Sequence, residues 1–229
     1  MKTNPVKILS VGGSIIIPPS GFDINFLRKF RELILAEVTK GHRFILVIGG
    51  GATARSYQQA ITNFGISNAT ELDWVGIKTT ALNAELVRVL FGEYAHKEVA
   101  VNPTKKMKTT KPIIVACGWK PGCSTDKDAV LLAKTYGAKE VVNLSNVDYV
   151  YDSDPRTNPT AKKLERVTWK ELRKIVGNTW TPGANVPFDP MAAKEAEKLK
   201  LTVKFVKGTD LAALTNALQG GILHGSIIM

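Results

Sequence analysis

Val6-Lys7-Ile8-Leu9-Ser10-Val11-Gly12-Gly13-Ser14 is the stretch on which the fold is read: a short, largely apolar run closed by two glycines and a serine. An apolar run this short, bounded by a turn signal, reads as a buried strand. The pattern returns at Phe44 to Ile48, which runs into Gly49-Gly50-Gly51. Between the two runs Asp23 stands where it would cap a helix. Phe26, Leu27, Phe30, Leu33, Ile34 and Val38 recur there at helical spacing, and Lys40-Gly41 stops the pattern. Strand, glycine turn, helix, strand is the order of a βαβ sheet covered by helices on both faces.

Working outward, the pattern predicts a helix through Ala54, Tyr57 and Ala60, strands at Ile113 to Ala116 and Val141 to Leu144, and between these a helix from Asp126 to Tyr136 that Gly137 ends. The last third predicts helices near Thr168 to Val176 and Pro190 to Leu199, a strand from Thr202 to Val206, a short helix after Asp210 and a closing strand from Ile222 to Ile228. The passages Thr157 to Pro159 and Thr181 to Pro190 read as surface loops. No repeat and no Gly/Ser/Pro linker divides the chain, so residues 1–229 are expected to form one α/β domain, a three-layer αβα sandwich with a mostly parallel central sheet.

Composition narrows the function classes. No apolar run approaches the roughly 20 residues that cross a bilayer, and Met1 to Ile8 lacks a signal-like stretch, so a soluble, cytoplasmic protein is expected. Only Cys117 and Cys123 are present, with no neighbouring His cluster, which argues against a zinc site or a disulfide framework. The net charge of +11 suits a polyanionic partner, either nucleic acid or the phosphates of small molecules. The densest basic run, Lys105, Lys106, Lys108 and Lys111, has no interleaved aromatics and no nucleic-acid module around it, and reads as a solvated segment.

Glycine turns at strand ends suit phosphate, because backbone N–H groups bind phosphate oxygens only where no Cβ intervenes, and because ligands of open α/β sheets bind outside the carboxyl ends of strands. Neither turn here is a Walker A loop or a G-x-G-x-x-G fingerprint. Pro121-Gly122-Cys123-Ser124-Thr125-Asp126 puts two hydroxyls and a carboxylate at a helix start, as an ordinary N-cap or as groups facing a substrate phosphate. Asn146, Asp148, Tyr151 and Asp154-Pro155 form a polar loop after a strand, which turn chemistry alone would explain. Lys194 lies about one turn into a helix and by default is solvated.

Taken in order, these pieces resemble the amino acid kinase superfamily and, within it, the UMP kinases of archaeal type. The resemblance spans essentially the whole chain. It is carried by Gly12-Gly13-Ser14, by Gly49 to Arg55, by Asp73-Trp74-Val75-Gly76-Ile77 with Asn83-Ala84, by Pro121 to Asp126, by Ser145 to Asp148 with Tyr151 and Asp154-Pro155, and by Asp189-Pro190 with Lys194. It implies transfer of the γ-phosphate of ATP to UMP. Gly12, Gly13 and Ser14 would lie on the ATP phosphates, Gly50 and Arg55 on the ATP side, and Ser145, Asn146, Tyr151 and Asp154 around the adenosine. Gly49, Asp73 and the segment Pro121, Gly122, Cys123, Ser124, Thr125 and Asp126 would hold the acceptor; Lys120, which the resemblance does not supply, is expected on the same side as a replacement for the charge missing at Ala81. Asp126 would orient catalytic lysines and Lys194 would reach the transferring phosphate. The resemblance further implies Mg²⁺ travelling with ATP rather than in a protein cage, and a homo-oligomer, dimer or hexamer.

The chain departs from the usual pattern at Cys117, Trp119 and Lys120 ahead of Pro121-Gly122, at Ala81 in place of an arginine, at Tyr149 in place of a glycine, and at Lys127 and Asp128 in place of small residues. Trp119 and Lys120 fall where the acceptor is read. A kinase of another small phosphate, such as isopentenyl phosphate, and a non-catalytic nucleotide- or oxyanion-binding protein on the same fold both stay open at the level of the sequence.

Overall fold

The computed structural model describes residues 5–181 and 186–229. Its strands are β1 (Val6–Val11), β2 (Arg43–Ile48), β3 (Ile113–Ala116), β4 (Glu140–Ser145), β5 (Val150–Tyr151), β6 (Lys163–Leu164), β7 (Arg166–Val167), β8 (Thr202–Lys207) and β9 (Ser226–Ile228). Its helices are α1 (Gly13–Ile16), α2 (Ile24–Thr39), α3 (Gly51–Asn63), α4 (Ala69–Phe91), α5 (Thr125–Tyr136), α6 (Trp169–Val176), α7 (Pro190–Lys198) and α8 (Leu211–Gln219). Seven strands form one sheet in the order β3-β2-β1-β4-β8-β9-β7, parallel except where β9 runs antiparallel to β8; β5 and β6 make a separate antiparallel pair. Chain order runs outward from β1 to β2 and β3 on one side and from β4 to β8 on the other, so the sheet has its topological switch point between β1 and β4.

The strands are apolar on both faces because both faces are covered. In β2, Phe44, Leu46 and Ile48 join one core with Phe26, Phe30 and Ile34 of α2, Val87 and Phe91 of α4 and Leu214 of α8. Ile45 and Val47 point the other way, into a second core with Ala129 and Ala133 of α5, Leu172 of α6 and Ala192 and Ala196 of α7. Helix ends follow local chemistry. The Asp23 carboxylate accepts the Phe26 N–H at 2.9 Å, Thr168 and Glu171 form a reciprocal capping box, and Gly137, at φ 73, closes α5 in the left-handed conformation.

Three readings are revised. The closing strand is only Ser226–Ile228, not Ile222 to Ile228. A Cβ at Gly225 would stand 2.1 Å from the Phe205 carbonyl oxygen, so close approach of β9 to β8 begins just there. The passage Thr181 to Pro190 is not wholly a surface loop, since Phe188, Asp189 and Pro190 are buried; residues 182–185 of it lie outside the described residues. The long helix α4 is present where periodicity gave no helix. The basic run Lys105 to Lys111 is an exposed loop, as its composition suggests, tethered by Arg43 donating to the carbonyls of Thr109 and Lys111. Among the described residues no helix is long and apolar enough to cross a membrane.

Candidate active site

The two glycine turns touch each other. A Cβ at Gly13 would lie 2.0 Å from the Gly51 nitrogen and 2.6 Å from the Gly49 carbonyl carbon, and Gly51 has φ +63 with its own Cβ direction 2.4 Å from the Gly13 oxygen. No L side chain fits such a contact. The turns are held in register by Gly49 N–H donating to Val11 O at 3.0 Å, and by the Asn83 side-chain amide donating to Gly49 O at 2.9 Å and Gly50 O at 3.0 Å. Packing between the turns by itself requires these glycines.

Above this floor, at the carboxyl ends of the strands, runs a trough of three connected hollows. One end is a cleft lined by Gly50, Gly51, Arg55, Asp73, Trp119, Lys120, Cys123, Ser124, Thr125 and Trp180. The other end is a hollow lined by Ser145, Asn146, Tyr149, Tyr151, Asp154 and Arg156. The channel between them is lined by Gly12, Ser14, Asp126, Asn143 and Ser145, over the switch point of the sheet, with Arg55 shared with the first cleft and Arg156 shared with the far hollow. Gly12 and Ser14 thus lie on the channel, while Gly13 and Gly49 serve the contact beneath it. Gly50 lines the Asp73 end rather than the far one.

Asp126 is the hub of the channel. Its Oδ1 accepts the Ser10 hydroxyl and the Asn143 amide, each at 2.8 Å, and its Oδ2 accepts the Asp189 N–H at 3.3 Å, which ties β1, β4 and the start of α7 to the first turn of α5. Burial, with the nearby Asp189 charge, pushes its pKa up to about 6 against those donors. Asp189 caps α7 by accepting from Met191 N–H and Ala192 N–H and also accepts the Ser124 N–H, so the N-termini of α5 and α7 converge. Ser124 itself is the N-cap of α5, its hydroxyl accepting the Asp126 N–H at 3.1 Å. The ordinary cap and the site reading describe the same residue.

Lys194 is not brought to the channel. Ala192, Ala193 and Ala196 form the buried face of α7 and Lys194 stands on its exposed face, making no hydrogen bond or ion pair among the described residues. Among the described residues no lysine donates to Asp126 either. The cations that do line the channel are Arg55 and Arg156.

In the far hollow Tyr151 donates its hydroxyl to Asp148 at 2.9 Å, which raises its pKa, and Arg156 forks onto Asp154, holding that carboxyl at about 2. Arg156 N–H also donates to the Asp154 side chain, so turn chemistry and pocket lining coexist here. In the cleft, Asp73 accepts the Gly122 N–H at 2.8 Å and the Trp180 indole N–H at 3.0 Å. Pro121 and Gly122 shape the loop without lining the cleft. The thiols of Cys117 and Cys123 are pushed up to about 11 and 12, first by burial and then by acidic neighbours, and stay neutral.

Sequence reasoning missed Arg156 and Trp180 as lining residues. Arg156 was readable as the cation beside Asp154-Pro155, whereas Trp180, alone in a Thr-rich loop, offered only the oddity of a large aromatic outside any periodic segment.

Comparison with known proteins agrees with this architecture. The uridylate kinase of Pyrococcus abyssi is 36% identical over 216 residues, covering 93% of this chain and 95% of that protein, and the uridylate kinase of Methanococcus vannielii is 33% identical over 97% and 98%. The crystal structure of uridylate kinase from Archaeoglobus fulgidus superposes with a TM-score of 0.81 at 31% identity, over 98% of this chain and all of that one. With residues 5–207 matching the amino acid kinase family on top of a seven-stranded αβα sheet with paired glycine turns, the chain belongs to that family.

Proposed function

We propose that this chain phosphorylates UMP to UDP with ATP. The observation that carries the reading is the trough: a hollow lined by Ser145, Asn146, Tyr151 and Asp154 and a cleft lined by Asp73, Ser124 and Thr125, joined by one channel with an arginine at each joint. Phosphoryl transfer needs donor and acceptor in line and the charge between them stabilised, with little covalent help. The curated relatives bear the name uridylate kinase over nearly their full length, which supplies the acceptor.

In this reading adenosine sits with Ser145, Asn146, Tyr151 and Asp154, and the triphosphate runs past Gly12 and Ser14 between Arg156 and Arg55. The acceptor phosphate approaches Ser124 and Thr125 at the N-terminus of α5, where the helix dipole favours negative charge. Arg55, common to channel and cleft, spans both phosphates and takes the role that the resemblance gave to Lys194. Asp126 positions the floor through Ser10, Asn143 and Asp189. The acceptor is already an ionised phosphate and needs no general base.

Mg²⁺ would travel with ATP on its phosphate oxygens and would supply charge neutralisation; the Asp126 oxygens are already engaged by protein donors, which leaves them poor anchors for a protein-held ion. Exposed apolar side chains on α3 and α4, among them Tyr57, Leu82 and Val89, support a homo-oligomer, and nucleotide substrates support a cytoplasmic site of action.

The test is ADP release in a coupled assay across nucleoside monophosphates and small phosphates, isopentenyl phosphate included. UMP should give the highest kcat/KM. A win for CMP or for a non-nucleotide acceptor would overturn the proposal.

A further inference from the structure

The acceptor cleft of this chain carries two tryptophans that come from separate loops. Trp119 follows β3 and Trp180 follows α6; both are half-buried and both line the cleft that holds Arg55, Ser124 and Thr125. One carboxylate links their loops. Asp73 accepts the indole N–H of Trp180 at 3.0 Å to Oδ2 and 3.3 Å to Oδ1, and accepts the backbone N–H of Gly122, three residues after Trp119, at 2.8 Å. Two further contacts fix the Trp119 loop: the Trp119 N–H donates to Asp128 at 3.2 Å, and the Gly118 N–H donates to the Thr80 hydroxyl at 2.8 Å. The Lys120 ammonium lies 4.3 Å from the centre of the Trp119 ring.

This arrangement has a chemical meaning. A tryptophan indole offers a large flat face at low cost in conformational freedom, and it is found half-buried where a planar ligand stacks. Tying Trp180 by its one donor, and Trp119 through its backbone, leaves the Trp180 ring and the face of Trp119 opposite Lys120 to act through contact. The surroundings are not an apolar tunnel: Asp73, Lys120 and Arg55 line the same cleft. Flat apolar faces with charged edges suit a polar heteroaromatic ring better than an aliphatic chain.

We infer that Trp119 and Trp180, tied into one wall through Asp73, are specificity-determining residues that recognise the planar base of the acceptor. The inference rests on the nucleoside monophosphate reading above and deepens it: the ligand class is a phosphate bearing a heteroaromatic base, and the base supplies a large part of its affinity.

The experiment compares UMP with ribose 5-phosphate, which keeps sugar and phosphate and lacks the base. Binding of each to the full chain is followed calorimetrically for wild type, W119L and W180L. Stacking on an aromatic side chain corresponds to roughly 5- to 150-fold in affinity per base. UMP should weaken by that factor in each variant, ribose 5-phosphate by less than about twofold, and ATP binding should be unchanged. In turnover the loss should appear in the KM for UMP and not in kcat.

Equal losses for both ligands would mean that the tryptophans only support the loops, and would overturn the inference, as would unchanged UMP binding. If a leucine variant loses ATP binding and so has not folded, W119F and W180F take its place. These keep a flat ring and should retain most of the preference for UMP over ribose 5-phosphate; loss of that preference would overturn the inference. Should wild type prefer another nucleoside monophosphate, the identity of the acceptor fails while a base-dependent loss with that nucleotide still supports the aromatic wall. If no nucleotide binds wild type more tightly than ribose 5-phosphate, the wall is not a base reader, whatever the enzyme phosphorylates.

Discussion

Asp128 offers the most direct physical test of the structure. It lies on the first turn of α5, 2% exposed, with Oδ2 accepting the Trp119 N–H and Oδ1 without a hydrogen-bond partner among the described residues. Burial, with the charges of Asp189 and Asp126 adding to it, pushes its pKa from 3.8 up to about 7. Between those two values the folded chain holds a proton that the unfolded chain has released. The stability contributed by this group is therefore complete below about pH 4 and is lost as pH rises through about 7. A shift of about 3 units at 1.36 kcal/mol each gives a ceiling of about 4 kcal/mol. Part of the upward pull comes from Asp126 and Asp189, which remain in the variant, so about 2–4 kcal/mol is expected.

In Asp128→Asn the titration at this position is gone, while the amide still accepts the Trp119 N–H. Its unmet donor adds an offset of about 1–3 kcal/mol that does not depend on pH. Urea unfolding of both proteins at intervals from pH 4 to 8, with the m-value checked for constancy, gives the stability difference at each pH. That difference should swing toward the variant by about 2–4 kcal/mol across the range. A difference flat to within about 0.5 kcal/mol would refute the reasoning, because a group that titrates alike in both states carries no linkage.

Gly13→Ala should cost about 3 kcal/mol or more in thermal unfolding, since backbone atoms of Gly49 and Gly51 occupy the space of the new methyl and cannot move aside singly; stability within about 1 kcal/mol of wild type would show that the turns are not in contact. Arg55→Ala should lower kcat by roughly 10²–10³, as loss of a charge-stabilising donor does, whereas Lys194→Ala should leave it within about threefold. The reverse order would restore Lys194 to the transferring phosphate and require α7 to turn. Lys120→Ala should raise the KM for UMP by about tenfold, with Lys120 standing in for the arginine replaced by Ala81; an unchanged KM would remove Lys120 from acceptor binding.

Much of this fold can be read from residue patterns because a parallel sheet covered on both sides leaves continuous apolar strands, and β1, β2, β3 and β4 all show them. Helix α4 escaped for a physical reason. Its buried face carries Asp73, Thr79, Thr80 and Asn83 beside Ala84, Val87 and Phe91, because its first half packs on glycine turns and a polar cleft rather than on the core. A helix that buries polar groups against backbone has no apolar stripe to detect. The same cause hid Trp180, whose importance depends on reaching Asp73, 107 positions earlier in the chain. The glycine turns were legible as places where the backbone is approached closely. That the approaching group includes the other turn could come only from their meeting in space.

Net charge was a poor guide to the site. Lys105, Lys106, Lys108 and Lys111 lie exposed in the loop that leads into β3, near Arg43 and Val6 at the amino ends of the strands, whereas the channel opens at the carboxyl ends. Around the trough stand carboxylates, Asp73, Asp128 and Asp189 buried and Asp126 partly buried. Each accepts at least one backbone or indole N–H from a loop or helix start that lines the trough. Carboxylates in such positions would repel phosphate if their charge were unsatisfied, and donation from the surrounding N–H groups, with the raised values of Asp126 and Asp128, reduces that repulsion. For the proposed phosphate transfer, positive potential would then come from few sources: the converging N-termini of α5 and α7, and Arg55 and Arg156 at the joints. A chain with an overall charge of +11 thus builds this channel on an acidic framework, with its densest lysine run at the opposite ends of the strands.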